Sequence, residues 1–179
     1  MAEHMPSYWD AVEPVMEIPN IYDGPDLFLA SFAKVPRPIS IVYAAHFCLS
    51  EVHNGGFLQF FKNSTGVLAP EALEGFQAIG MARLASVMNA AMSVLGPEYP
   101  RDREARWDAI LGASPLNGDE IERIFKEAKS LYLAYAKVAE PLPFDQLSRQ
   151  VWQLAATENG GFDVAATKYL ADLRLLRPQ

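Results

Sequence analysis

Residues 51 to 66 read Glu51-Val52-His53-Asn54-Gly55-Gly56-Phe57-Leu58-Gln59-Phe60-Phe61-Lys62-Asn63-Ser64-Thr65-Gly66. A largely apolar run stops at a double glycine, and an aromatic-rich run begins at once. Upstream, Pro38 suits the first position of a helix, where its missing N–H would be unpaired anyway. From Pro38 to about His53 the chain is apolar on nearly every side (Ile39, Ile41, Val42, Tyr43, Phe47, Leu49, Val52), which puts this helix in the middle of a core. Asn54, Gly55 and Gly56 are expected to take the left-handed conformations that end a helix. An Asn-Gly pair also makes hairpin turns, but the flanks here show helical spacing and no alternation. Phe57, Phe60 and Phe61 then restart the apolar face.

The same periodicity continues downstream. Pro70 opens a helix with Glu71 and Glu74 near its positive end, and Leu73, Phe76, Gly80, Leu84, Met88, Ala91 and Leu95 form one stripe with a bend near Gly80. A charged helix is expected over Arg101 to Leu111, anchored by Trp107 and Ile110. Asp119 to Glu140 reads as one amphipathic helix, opened by a capping box of Asp119 and Glu122. Two more helices follow Pro143, ending near Glu158 and Leu176. No segment alternates long enough for a strand. The expected fold is all-α, a single compact domain of seven to nine helices around a buried central one. Glu158-Asn159-Gly160-Gly161-Phe162 echoes the first joint, with no wider repeat.

The domain is expected over residues 27–179, preceded by an acidic arm at 1–26. Four prolines (Pro6, Pro14, Pro19, Pro25) limit that arm to short helical pieces, one of them opened by Asp10 and Glu13 as a capping box. Tyr8, Trp9, Val12, Val15 and Met16 predict that it packs on the body. Net charge is −7, and residues 1 to 33 hold six acids (Glu3, Asp10, Glu13, Glu17, Asp23, Asp26) with no lysine or arginine. The other 146 residues hold 16 acids and 15 bases. Phosphate is repelled by such a surface, so nucleic acid is excluded as a direct ligand. Asp10, Glu13, Glu17, Asp23 and Asp26 are the candidate contacts for a basic protein partner, or else a solubilising face.

The single cysteine, Cys48, leaves no disulfide and no multi-cysteine metal site. No uncharged stretch reaches the ~20 residues of a membrane span, and the acidic N-terminus is unlike a signal peptide. A cytoplasmic protein is expected, with no membrane association and no cofactor. His46, Cys48, Glu51 and His53 lie within eight residues, but without a His-Glu-x-x-His spacing no metal is expected. His53 as a base and Ser64 or Thr65 as a nucleophile lack a nucleophile elbow or phosphate loop. Glu51, Asn54 and Gln59 are read as framework groups that satisfy the backbone at the helix junction, Glu51 by accepting from N–H groups of the Gly-Gly turn.

The run from Glu51 to Gly66, followed by Glu71-Ala72-Leu73-Glu74 and Ile79-Gly80, resembles the bacterial DNA-mimic protein domain family, which also passes as a domain of unknown function. Glu51, Asn54, Gly55, Gly56, Phe57, Gln59, Phe61 and Asn63 match its pattern. The resemblance implies an all-α fold, a homodimer, no known catalysis and, in the best-described kind of member, an acidic surface that occupies the site of a DNA-binding protein. The matched residues are framework residues, so mimicry does not travel with them. Duplex DNA carries one charge per ~3.4 Å along each strand, whereas six acids over a wholly helical arm would span ~36 Å. Mimicry therefore requires carboxylates from the body or from a second subunit. The expected function is a non-enzymatic binding protein for a basic partner such as a transcriptional regulator. The alternatives are an enzyme using the joint and an accessory module with no mimic activity.

Overall fold

The computed structural model describes residues 5–17 and 20–176, without the side chain of Glu17. The expectations for Glu3, for the Glu17 carboxylate and for Pro19 lie outside the described residues. Among these residues the chain is helical throughout, with ten α-helices and no strand. They are α1 (Tyr8–Val12), α2 (Pro25–Phe32), α3 (Arg37–Lys62), α4 (Ala69–Ala78), α5 (Ala82–Ser93), α6 (Arg103–Ala113), α7 (Gly118–Glu127), α8 (Leu131–Ala139), α9 (Phe144–Thr157) and α10 (Phe162–Asp172).

α3 is the central helix. Val42, Ala44, Ala45, Cys48, Val52, Phe57, Phe60 and Phe61 are all at most 1% exposed, and each large apolar side chain so buried contributes about 1.5–3 kcal/mol. α4 crosses α3 so closely that a Cβ on Gly75 would run into the carbonyl of Ile41. α9 packs on α3 and on α5, and α1 lies across α3 and α10. Tyr8, Val12 and Val15 join the same core, and the Tyr8 N–H donates to Thr167 Oγ1 at 3.0 Å.

Helix boundaries depart from the sequence reading at four places, each for a local reason. Asn54 keeps helical geometry, and α3 continues to Lys62 across a break confined to Gly55 (φ −155°, ψ 24°) and Gly56 (φ 73°, ψ −178°). At Gly80 the stripe is not bent but cut: Gly80 takes φ 78°, and the Met81 and Gly80 N–H groups return to Phe76 O (2.8 Å) and Gln77 O (3.1 Å). This is the left-handed glycine stop of a helix C-terminus. The amphipathic helix over Asp119–Glu140 is two helices. Ala128 turns extended at ψ 135°, and Ser130 restarts the chain by accepting the Leu133 N–H at 3.3 Å. The capping boxes are shifted as well, to Asn117 with Glu120 and to Ser7 with Asp10.

Candidate functional site

The polar residues of the motif close on one carboxylate. Glu51 Oε2 accepts from Gln59 Nε2 at 2.8 Å and Asn63 Nδ2 at 2.9 Å, and Oε1 accepts from Thr65 Oγ1 at 2.9 Å. The expected donors, backbone N–H groups of the Gly-Gly turn, are not those observed. The side chains from the far side of the break reach back instead. Gly55 makes this possible, because a Cβ there would occupy the place of the Gln59 amide. Gly56 has the positive φ that only glycine adopts freely, and the next N–H, of Phe57, is received by Ser148 Oγ on α9 at 2.9 Å. Ser148 in turn donates to Phe144 O at 2.7 Å. Phe57 and Phe61 stack beneath the joint, with centroids 5.6 Å apart. Asn54 is exposed.

The end of α3 is built from α6, a connection with no signal in the motif. The last four carbonyls of a helix lack helical partners. Arg106, only 1% exposed, donates to Phe61 O at 2.7 Å and Asn63 O at 2.8 Å. Lys62 O accepts from Arg103 Nε at 2.7 Å and Trp107 Nε1 at 3.2 Å. Guanidinium groups also answer the negative end of the helix dipole. Arg101 pairs with Glu71 at 2.6 and 3.0 Å, so Glu71 does more than favour the start of α4. A cluster of three arginines before a tryptophan in an acidic chain was the available signal. Lys62 is 4% exposed, with Nζ 4.5 Å from the Tyr132 ring centroid, 4.7 Å from Tyr135 and 5.2 Å from Trp107. Burial, and then the charge of Arg103, pull its pKa down to about 8.

The second joint uses its polar residues differently. Glu158 accepts the Arg83 and Leu84 N–H groups at 2.8 and 2.9 Å, capping α5, while Asn159 Nδ2 donates to Ile79 O at 2.8 Å near the end of α4.

The candidate acids sit against different elements. Asp10 accepts the Ser7 N–H at 2.7 Å in the α1 cap, and Glu13 is exposed. Asp23 and Asp26 are exposed on either side of Gly24 and Pro25, which share a groove of about 310 Å³ with Asp102 and Glu104. Cys48 is 1% exposed with its thiol pushed up by burial and by Glu51, so it stays protonated. Among the described residues no three His, Cys, Asp or Glu side chains gather to hold a metal. No described helix is long and apolar enough to cross a membrane.

A family model for DMP19-like proteins matches residues 33–172. The chain belongs to this family. It is the DNA-mimic family that the motif resembles. Both joints, the Glu51 network and the α6 arginines fall inside the matched region, whereas Asp10, Glu13, Asp23 and Asp26 precede it. Neither the curated proteins nor the solved structures hold a match to this chain.

Proposed function

We infer that this DMP19-like protein is a non-enzymatic binding protein, whose acidic surface takes the place of DNA on a basic, DNA-binding partner. The observation that carries the reading is the groove shared by the arm and α6. Asp102 and Glu104 line it together with Tyr22, Gly24 and Pro25, to which Asp23 and Asp26 are adjacent in the chain, and all four acids are exposed. The arm alone is too sparse to imitate a strand, and these body carboxylates add to it at one rim. Arg101, Arg103 and Arg106 line the same groove; Arg101 is paired with Glu71, Arg106 is buried against the end of α3, and Arg103, though exposed, donates through Nε to Lys62 O. A homodimer would lengthen the acidic row, and sedimentation at several concentrations reads out that state.

The test is competition with the molecule being imitated. Proteins retained on DNA-cellulose are passed over the immobilised chain, and bound material is eluted with a duplex oligonucleotide. A mimic releases its partner to duplex DNA and to raised salt, because counterion release governs both contacts. Asp23→Asn/Asp26→Asn/Asp102→Asn/Glu104→Gln is expected to capture none of it. Retention that is indifferent to duplex DNA would show that the acidic rim is no DNA surrogate.

A further inference from the structure

An open cleft of about 890 Å³ lies between α3, α9, α1 and the turn into α10, and neither the acidic rim nor the Glu51 network uses it. Its volume is that of a small-molecule pocket, typically ~300–1,000 Å³. Aromatic side chains form much of its wall. Trp152 is 55% exposed with its ring 4.5 Å from that of His53, and Tyr8 lies 5.3 Å from Phe162.

The titratable side chains lining the cleft are Tyr8, His46, His53 and Asp163. The Tyr8 hydroxyl lies 3.0 Å from His46 Nδ1. Burial and Asp163 both raise the Tyr8 pKa, so the phenol keeps its proton. Burial lowers both His46 and His53, outweighing the pull of Asp163 on His46, so both rings are neutral at pH 7. Asp163 is therefore the one formally charged side chain among the described residues lining the cleft.

The sign of the ligand follows. The first turn of α10 presents roughly half a positive charge, less than the full negative charge of Asp163 within that same turn. The chain as a whole carries −7. An anion would face a net repulsion, while a cation gains the carboxylate and the exposed ring of Trp152, cation–π attraction being strongest at tryptophan.

We propose that this cleft binds an organic cation, a guanidinium or ammonium group on an apolar stem, held by Asp163 against Trp152. The site stands independently of the acidic rim, so either can fail alone.

The indole N–H resonances of the full-length protein are followed by NMR during titration with agmatine. Trp152, assigned by its loss in Trp152→Ala, is expected to shift saturably with a Kd of about 1 mM or tighter. Asp163→Asn is expected to weaken binding about tenfold or more, the loss of one charge partner. Ala156→Lys, at an exposed position on α9 lining the cleft, supplies a competing cation without touching the Tyr8 hydrogen bonds and is expected to do the same. N-acetylarginine methylamide distinguishes sources: its binding points to an arginine side chain, and binding of agmatine alone to a free amine. The proposal is overturned if neither shifts Trp152 up to about 20 mM, if butanoate binds better than agmatine, or if affinity is unchanged in Ala156→Lys.

Discussion

At residues 54–57 the tetrapeptide Asn-Gly-Gly-Phe interrupts one helix, whereas at 159–162 it separates two. The first joint has one positive φ, at Gly56, and the second has three in a row, Asn159, Gly160 and Gly161. The acid preceding each joint has a different clientele. Glu51 collects side chains from beyond its own break, and Glu158 collects backbone N–H groups of another helix. α9 links the two, with Ser148 receiving the Phe57 N–H and the Ala156 carbonyl standing 3.2 Å from where a Gly161 Cβ would be. Identical local sequence thus fixes where a helix stops, while the preceding acid decides what the stop is tied to.

Filling the glycines should give the largest effect. Gly56→Val forces a β-branched residue to φ 73° and presses on Ser148, and a loss of about 3 kcal/mol is expected, the upper range for backbone strain. Gly161→Val, at φ 92°, should cost about as much. Chemical denaturation measures both, and a tolerant Gly56→Val would mean that the first joint is an ordinary kink.

The acids separate the joints more sharply. Glu51→Ala leaves three donors without their acceptor and should cost about 2–3 kcal/mol, because hydrogen bonds to charged groups are worth more than neutral ones. Glu51→Gln keeps one carbonyl oxygen and should cost about half of that. Glu158→Ala removes a helix cap, at about 1 kcal/mol. Equal losses for the two alanine variants would erase the distinction between a hub and a cap.

How much of this was legible in the sequence divides along the same line. The break at Gly55 and Gly56 and the burial of α3 follow from residue type and spacing, because both are local. The split of the helix read over Asp119–Glu140 escaped that reading, because Ser130 looks like a polar interior residue until its neighbours turn it into a cap. Arg106 escaped more thoroughly. Sequence places an arginine outside, and only the folded chain brings it against carbonyls 43 to 45 residues away. The partners of Glu51 escaped as well, since the glycine N–H groups are four and five residues away, whereas the side chains that reach it stand eight to fourteen residues on.

Among the described residues the helix carrying the first joint ends in a buried titratable cation, Lys62, and the second joint has none in its own helices, so the two regions should respond differently to pH. Lys62 titrates near pH 8 when folded and near ~10.4 when unfolded. Between those values the unfolded chain binds more protons, so stability rises with pH. Below pH 8 the cost of burying the charge is present in full. Linkage over that shift gives an expected gain of about 2 kcal/mol on going from pH ~7 towards ~9.5. Lys62→Met should be flat across that window, with Trp107 fluorescence as the probe. A parent protein as flat as the variant would show that the three rings hold the ammonium as well as water does.

The smallest expected effect is also the cleanest contrast, because it changes the same residue in the same tetrapeptide. Asn159 sits at φ 51°, a region that asparagine tolerates better than alanine, and its amide holds Ile79 O. Asn159→Ala should therefore cost about 1–1.5 kcal/mol. Asn54 has helical geometry and is exposed, so Asn54→Ala should stay within about 0.5 kcal/mol of the parent. The motif nonetheless includes Asn54, and Asn54 lines the cleft with Asp163 and Trp152. A residue that contributes nothing to the fold yet faces a pocket is placed to touch a ligand. Asn54→Ala is thus expected to leave the melting temperature unchanged and weaken agmatine binding about threefold, the share of one neutral hydrogen bond. If it instead melts as early as Asn159→Ala, the two asparagines are structural alike and the contrast between the joints reduces to their acids.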